Sequence, residues 1–145
     1  ILPNLDDYQA AASKMTDLSL IRDSKVPASP PIEIVGEEPS HEWCYYFEKA
    51  DLARQLGNWD EVIRLGEEIF SQGKVARIPT EWLPFLEAYL RRGLTSQADT
   101  ILEFMKKDQP EKYQNSICYT LKRIRKDLSV DQELLNKYVA MNLCK

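Results

Sequence analysis

Apolar residues recur along residues 41–73 at the three-and-four spacing of two amphipathic helices folded back on one another. Trp43, Tyr46, Phe47, Ala50 and Ala53 fall on one face of the first, and Trp59, Val62, Ile63, Gly66, Ile69 and Phe70 on one face of the second. Between them, Gly57 suits the left-handed conformation that ends a helix, and Asn58 can cap the next by accepting a hydrogen bond from its unpaired amides. Neither helix can bury its stripe alone, so the hairpin organises what surrounds it. Gly66 lies mid-helix, where glycine is unfavourable by roughly 0.5–1 kcal/mol, and therefore predicts a close helix crossing.

The pattern recurs after Gly73 and a connection over 74–79. A helix starting near Thr80 carries Trp82, Phe85, Leu86, Tyr89 and Leu90, with Pro84 early enough that little backbone bonding is lost. Gly93 breaks it, Thr95 or Ser96 caps the next helix, and Ala98, Ile101, Leu102 and Met105 form its inward stripe. Asp108 to Glu111 reads as a capping box around Pro110, followed by Tyr113, Ile117, Leu121, Ile124 and Leu128 at helical spacing. Ser129 and Gln132 read as another capping box before Leu134, Leu135, Tyr138, Val139 and Met141. Six helices thus make three antiparallel pairs, at about 41–73, 80–108 and 110–143. Trp43, Trp59, Trp82 and Tyr89 are expected in the core.

Residues 1–40 read differently. Asn4 can cap a short helix through Tyr8, Ala11 and Met15, with Leu18, Leu20 and Ile21 after it. Pro27, Pro30, Pro31 and Pro39 then favour an extended, polyproline-like arm in which Ile32, Ile34 and Val35 make a brief strand-like piece. A mere linker is the plain alternative; against it, those apolar side chains predict that the arm packs on the helical body and buries Ile32 or Ile34.

Gly57 and Gly93 stand 36 residues apart, a period found in helical repeat arrays. Trp82, Leu86, Tyr89, Gly93, Ala98 and Pro110 make the second unit resemble a tetratricopeptide repeat. Tyr46, Ala50, Ala53, Gly57 and Trp59 carry the likeness in the first unit, where Val62 and Gly66 depart from it, and the third keeps only the length, as a capping repeat does. The resemblance covers about 41–110. It implies an all-α fold, a right-handed stack of hairpins, with the Pro-rich arm at its N-terminal end. The strings EPSHEWCYYFEKADLARQLGNW and IPTEWLPFLEAY also resemble the soluble C-terminal domain of certain uncharacterised bacterial polytopic membrane proteins, some with a glycosyltransferase-like membrane part. That likeness implies a tail and carries over no catalytic residue.

At 145 residues, 43% hydrophobic and 29% charged, the composition is globular, and a net charge of −4 argues against a general affinity for nucleic acid or anionic membrane, since both need a positive field. No apolar run approaches the roughly 18 residues of a membrane span, which leaves a tether to a membrane open. The chain begins at Ile1 and has no signal-peptide pattern, which reads as a piece of a longer protein. Cys44, Cys118 and Cys144 are in no metal or redox spacing and read as small apolar or surface residues.

Motifs for phosphate cradles, HExxH zinc sites and CxxC pairs are absent, and His41 is the only histidine. His41 reads as a first-turn surface residue, its pairing with Cys44 lacking a third orienting group. Carboxylates on the helices read as solvating and pairing, as Asp60 with Arg64. The run Lys122, Arg123, Arg125, Lys126 reads as a solvated face, with anionic lipid headgroups as the functional alternative. The sequence therefore predicts no catalytic residue, no cofactor and no metal, and a protein or peptide as the partner. By register with the repeat family, the binding groove is lined by Phe47, Glu48, Asp51, Arg54 and Gln55 in the first unit and Leu83, Glu87, Leu90 and Arg91 in the second. The alternatives are a structural tail of a membrane protein whose groove is filled by its own arm, and an enzyme using buried carboxylates, which needs a deep pocket.

Overall fold

The computed structural model describes residues 11, 12, 14, 15, 17, 31–37, 40–107, 111–142 and 144. The chain divides into two compact units, Ile1–Pro39 and Ser40–Lys145. The described residues are helical or irregular, with no strand.

In the first unit, Ala11, Ala12, Lys14 and Met15 are helical as expected. The strand-like reading of the arm is corrected: Ile32–Val35 is a single helical turn, α1. Pro31 does not forbid it, because a proline at the N-cap lies ahead of the first amide that a helix needs. Its carbonyl accepts hydrogen bonds from the amides of Ile34 (3.0 Å) and Val35 (3.1 Å), and Gly36, at φ 79°, ends the turn. Ile32, Ile34 and Val35 are all exposed. The rest of the arm, with Pro27, Pro30 and Pro39, lies outside the described residues.

The second unit is built from α2 (Trp43–Gln55), α3 (Trp59–Ser71), a 3₁₀ turn (Pro79–Trp82), α4 (Leu83–Arg91), α5 (Thr95–Lys106), α6 (Gln114–Ile124) and α7 (Gln132–Met141). The two glycine turns have the same bonding. At Gly57 (φ 71°) the Asn58 amide reaches back to the Ala53 carbonyl, and at Gly93 (φ 69°) the Leu94 amide reaches back to that of Tyr89, both at 2.8 Å. These six-to-one bonds satisfy carbonyls that the helix end leaves unpaired, and they require the positive φ. The caps differ. Asn58 Oδ1 accepts from the Glu61 amide (3.3 Å), whereas Leu94 occupies the equivalent place before α5 with no side-chain bond, and neither Thr95 nor Ser96 caps that helix. Gly57→Val and Gly93→Val should each destabilise by about 1–2 kcal/mol in urea denaturation, the cost of a side chain in left-handed backbone.

The hairpins pack in a regular order. Helix α2 lies on α3 and α4, α3 on α4, α4 on α5 and α6, and α6 on α7. Helix α4 is thus central, and every residue from Pro84 to Leu90 is buried, as expected of a helix surrounded by others. Its entry is fixed by Trp82, 3% exposed, whose ring stacks on Phe70 of α3 (5.1 Å between centroids) and Phe104 of α5 (5.9 Å) and meets Trp43 of α2 edge-on at 4.4 Å. Trp59, expected in the core, is only half-buried, and Leu65, absent from the predicted stripe, is buried.

Gly66 marks the predicted close crossing. A β-carbon there would lie 2.5 Å from the Tyr89 hydroxyl and 3.0 Å from Phe85 Cδ1. The Tyr89 hydroxyl is buried and has no hydrogen-bond partner, so it is costly to keep. Gly66→Ala should cost about 1–3 kcal/mol through overpacking, and Tyr89→Phe, which removes the oxygen, should restore part of it. An additive double variant in urea denaturation would rule out this contact. Burial, and then the charge of Glu67, push the Tyr89 phenol from 10.0 up to about 12. The folded state holds that proton more tightly than the unfolded chain, so stability present below pH 10 is lost as pH rises through about 12. In a phenolate absorbance titration Tyr89→Phe should remove one of the late-ionising phenols, the buried Tyr138, held up by burial and by Asp99, remaining as another.

The third pair departs furthest from expectation. Helix α6 stops at Ile124, and Leu128, assigned to its stripe, is 85% exposed in the following loop. Asp131 rather than Ser129 caps α7, its Oδ1 accepting from the amides of Glu133 (2.9 Å) and Leu134 (3.0 Å). Ser129 instead closes a turn on Asp127. The proposed box at Asp108 and Pro110 lies outside the described residues, and its Glu111 precedes a helix that begins only at Gln114. Cys118 and Cys144, read as unpaired, form a disulfide with 5.3 Å between α-carbons, which ties α6 to the segment after α7; Cys44 is free and exposed. Spacing alone could not pair two of three cysteines.

Candidate interaction face

Helix α2 presents its predicted residues in a partly open row. Phe47, Asp51 and Arg54 are half-buried, and Glu48 and Gln55 are exposed. The Asp51 carboxylate joins three of them, accepting from Arg54 Nε and Gln55 Nε2, both at 2.8 Å.

On α4 the outcome differs. Leu83 is half-buried, but Glu87 and Leu90 are each 1% exposed, and only the edge of Arg91 reaches solvent. Glu87 Oε1 accepts from Arg91 Nε (3.1 Å) and Nη2 (3.0 Å), and its other oxygen accepts from Arg123 of α6. The Arg91 guanidinium also lies over the ring of Trp59, 4.4 Å from its centroid, and pairs with Asp127 beyond α6. Glu87 and Arg91 are therefore joined to the neighbouring hairpins, and Arg91 meets both of them. A buried carboxylate needs such partners, since an ion without them would be too costly to desolvate. The Asp127 carboxyl is held below its usual range by hydrogen bonds from Ser129 and then by Arg91.

Sequence reasoning did not single out Arg123, Asp127 or Arg92 as partners, although a signal was present. Glu87–Arg91 and Arg123–Asp127 are both i,i+4 pairs, in opposite charge order, and each cross-hairpin bond spans 36 residues, the interval between Gly57 and Gly93. Two such helices lying side by side place each acid opposite a base. The expected Asp60–Arg64 pair is replaced: Arg64 binds Glu61 (2.8 Å) and Glu68 (2.9 Å), while Asp60 reaches Arg92 of the second hairpin (2.7 Å). Arg123 likewise leaves the predicted solvated face, whereas Lys122, Arg125 and Lys126 keep to it.

At the other end of the first hairpin, Tyr46 Oη donates to Glu68 Oε1 (2.8 Å) and accepts from Gln72 Nε2 (2.9 Å). The Tyr46 bond raises the phenol's pKa and is the first cause of the lowered pKa of Glu68. His41 is half-buried rather than a surface residue, its ring flat on Tyr45 at 3.5 Å. Among the described residues no group of three or more His, Cys, Asp or Glu is placed to hold a metal ion, and no helix is long and apolar enough to cross a membrane. No protein-family model matches the chain, nor does any curated protein or solved structure.

Proposed function

We propose that residues 40–145 are a tetratricopeptide-like stack of three hairpins that serves as a protein-interaction or assembly module of a larger protein. One observation carries this reading. The buried positions Tyr46, Ala50, Ala53 of α2 recur as Trp82 of the 3₁₀ turn with Leu86 and Tyr89 of α4, and as Ile117, Leu121, Ile124 of α6, with the same four-then-three spacing at intervals of 36 and 35 residues. The third unit lacks the sequence signature of the first two yet repeats their packing, as a terminal repeat does. Such a stack leaves the first helix of each pair facing a common surface. The residues that offer it to an extended partner are Phe47, Glu48, Asp51, Arg54 and Gln55 of α2 with Leu83 of α4, while Glu87, Leu90 and Arg91 support it from within.

The test is site-specific photocrosslinking in the source cell. A photoreactive residue at Glu48 or Gln55 should join the chain to one discrete protein, and one at exposed Ser96 or Glu103 of α5 should not. Equal products at all four positions, or none at α2, would refute the binding face.

A second reading, a structural tail of a bacterial membrane protein, is favoured by the Cys118–Cys144 bridge, because such bonds persist in oxidising compartments and a tail on the exported side would meet one. Thiol alkylation of protein from the source cell, without prior reduction, separates the cases: labelling of Cys44 alone supports the exported tail, and labelling of all three cysteines removes its support.

A further inference from the structure

We propose that the end of α6 and the loop after it dock on an anionic lipid bilayer. This surface does not depend on the peptide-binding reading. Lys122, Arg125 and Lys126 are exposed, and among the described residues none of their side chains has a hydrogen-bond or ion-pair partner. Arg123, between them, is already committed to buried Glu87. The helix dipole accounts for one cation at such an end, and it does not require three. Charge is also segregated along the chain: residues 106–145 hold nine Lys and Arg against five Asp and Glu, in a protein whose net charge is −4.

Apolar groups flank these cations. Tyr119, 53% exposed, stands three residues before Lys122 on α6 and so shares its helix face, with the Arg123 guanidinium 5.8 Å from its ring centroid. Leu128, two residues after Lys126, is 85% exposed in the loop. Nucleic acid or an acidic peptide would be attracted by the cations and gain little from a projecting leucine. A bilayer uses all three: phosphates for the cations, the headgroup region for an amphipathic ring, and the acyl boundary for an aliphatic tip.

Sedimentation of the full chain with vesicles tests this. Binding is expected to phosphatidylcholine vesicles that contain phosphatidylglycerol and not to phosphatidylcholine alone, and it should weaken as salt is raised. Each cation neutralised should cost about fivefold, so Lys122→Gln/Arg125→Gln/Lys126→Gln should lose on the order of a hundredfold. Arg77→Gln/Lys137→Gln, which removes exposed charge elsewhere, should change binding little. Leu128→Ser should weaken vesicle binding while leaving any binding to duplex DNA or polyglutamate unchanged. The variants alter exposed side chains, and far-ultraviolet circular dichroism should confirm an unchanged fold. No binding of the parent protein to anionic vesicles overturns the proposal, as does a triple variant no weaker than the control. Equal binding to polyglutamate or DNA with no effect of Leu128→Ser would make this a general anion surface and overturn the bilayer assignment.

Discussion

Replacing Glu87 with alanine is expected to cost about 3–5 kcal/mol, the range for breaking a buried ion pair by removing one partner. Glu87 is 1% exposed and holds Arg91 and Arg123 at once, so its loss leaves Arg123 without an ion-pair partner and Arg91 with Asp127 alone. Arg123 Nε is already buried without a partner, which leaves that side chain little compensation. Glu87→Gln should fall between alanine and the parent, because it keeps the volume and an acceptor while losing the charge. The triple replacement Glu87→Leu/Arg91→Met/Arg123→Leu should be far milder than Glu87→Ala, since an apolar cluster of similar size avoids the desolvation cost altogether. Urea denaturation measures all three. A Glu87→Ala protein within about 0.5 kcal/mol of the parent, as an ordinary surface substitution would be, would mean that the cluster does not exist in solution.

Trp82→Ala should be comparably severe, at about 3–5 kcal/mol. Its ring stacks on Phe70 and Phe104 and meets Trp43 edge-on, so truncation removes one large side chain and a ring contact of three others. The surrounding elements are three separate helices, which limits collapse into the space. Trp82→Phe keeps a ring in the stack and should lose much less. The check is again the urea midpoint, together with tryptophan fluorescence, where loss of the buried indole should leave an emission dominated by Trp43 and Trp59.

Local features of the fold were legible in the sequence, and long-range ones were not. Gly57 and Gly93 could be assigned to left-handed turns because each is followed by a new apolar stripe, and Gly66 to a close crossing because glycine has no other reason to sit mid-helix. The face of α4 could not be judged from its own residues. Glu87 and Arg91 look like solvent-facing groups at i and i+4, and only the packing of α6 on α4 encloses them. Asp60 was paired with Arg64 for the same reason: an i,i+4 rule sees one helix, whereas Arg92 is 32 residues away. Arg64 also had Glu61 and Glu68 within one turn on either side. The end of α6 was misread because Leu128 continues a perfect spacing, while Asp127, Ser129 and Asp131 together stop the helix and restart it. Two turn-forming acids outweighed one apolar residue.

Arg91 has a consequence for how the molecule comes apart. In an array where each unit touches its neighbours only through local interfaces, an end can fray while the remainder stays folded, and stability is close to a sum along a line. Arg91 belongs to the middle hairpin and holds Trp59 of the first and Asp127 of the third through a single guanidinium. Detaching either end removes one of the supports that orient this group and so weakens its grip on the other. Piecemeal peeling of either end hairpin is thereby penalised.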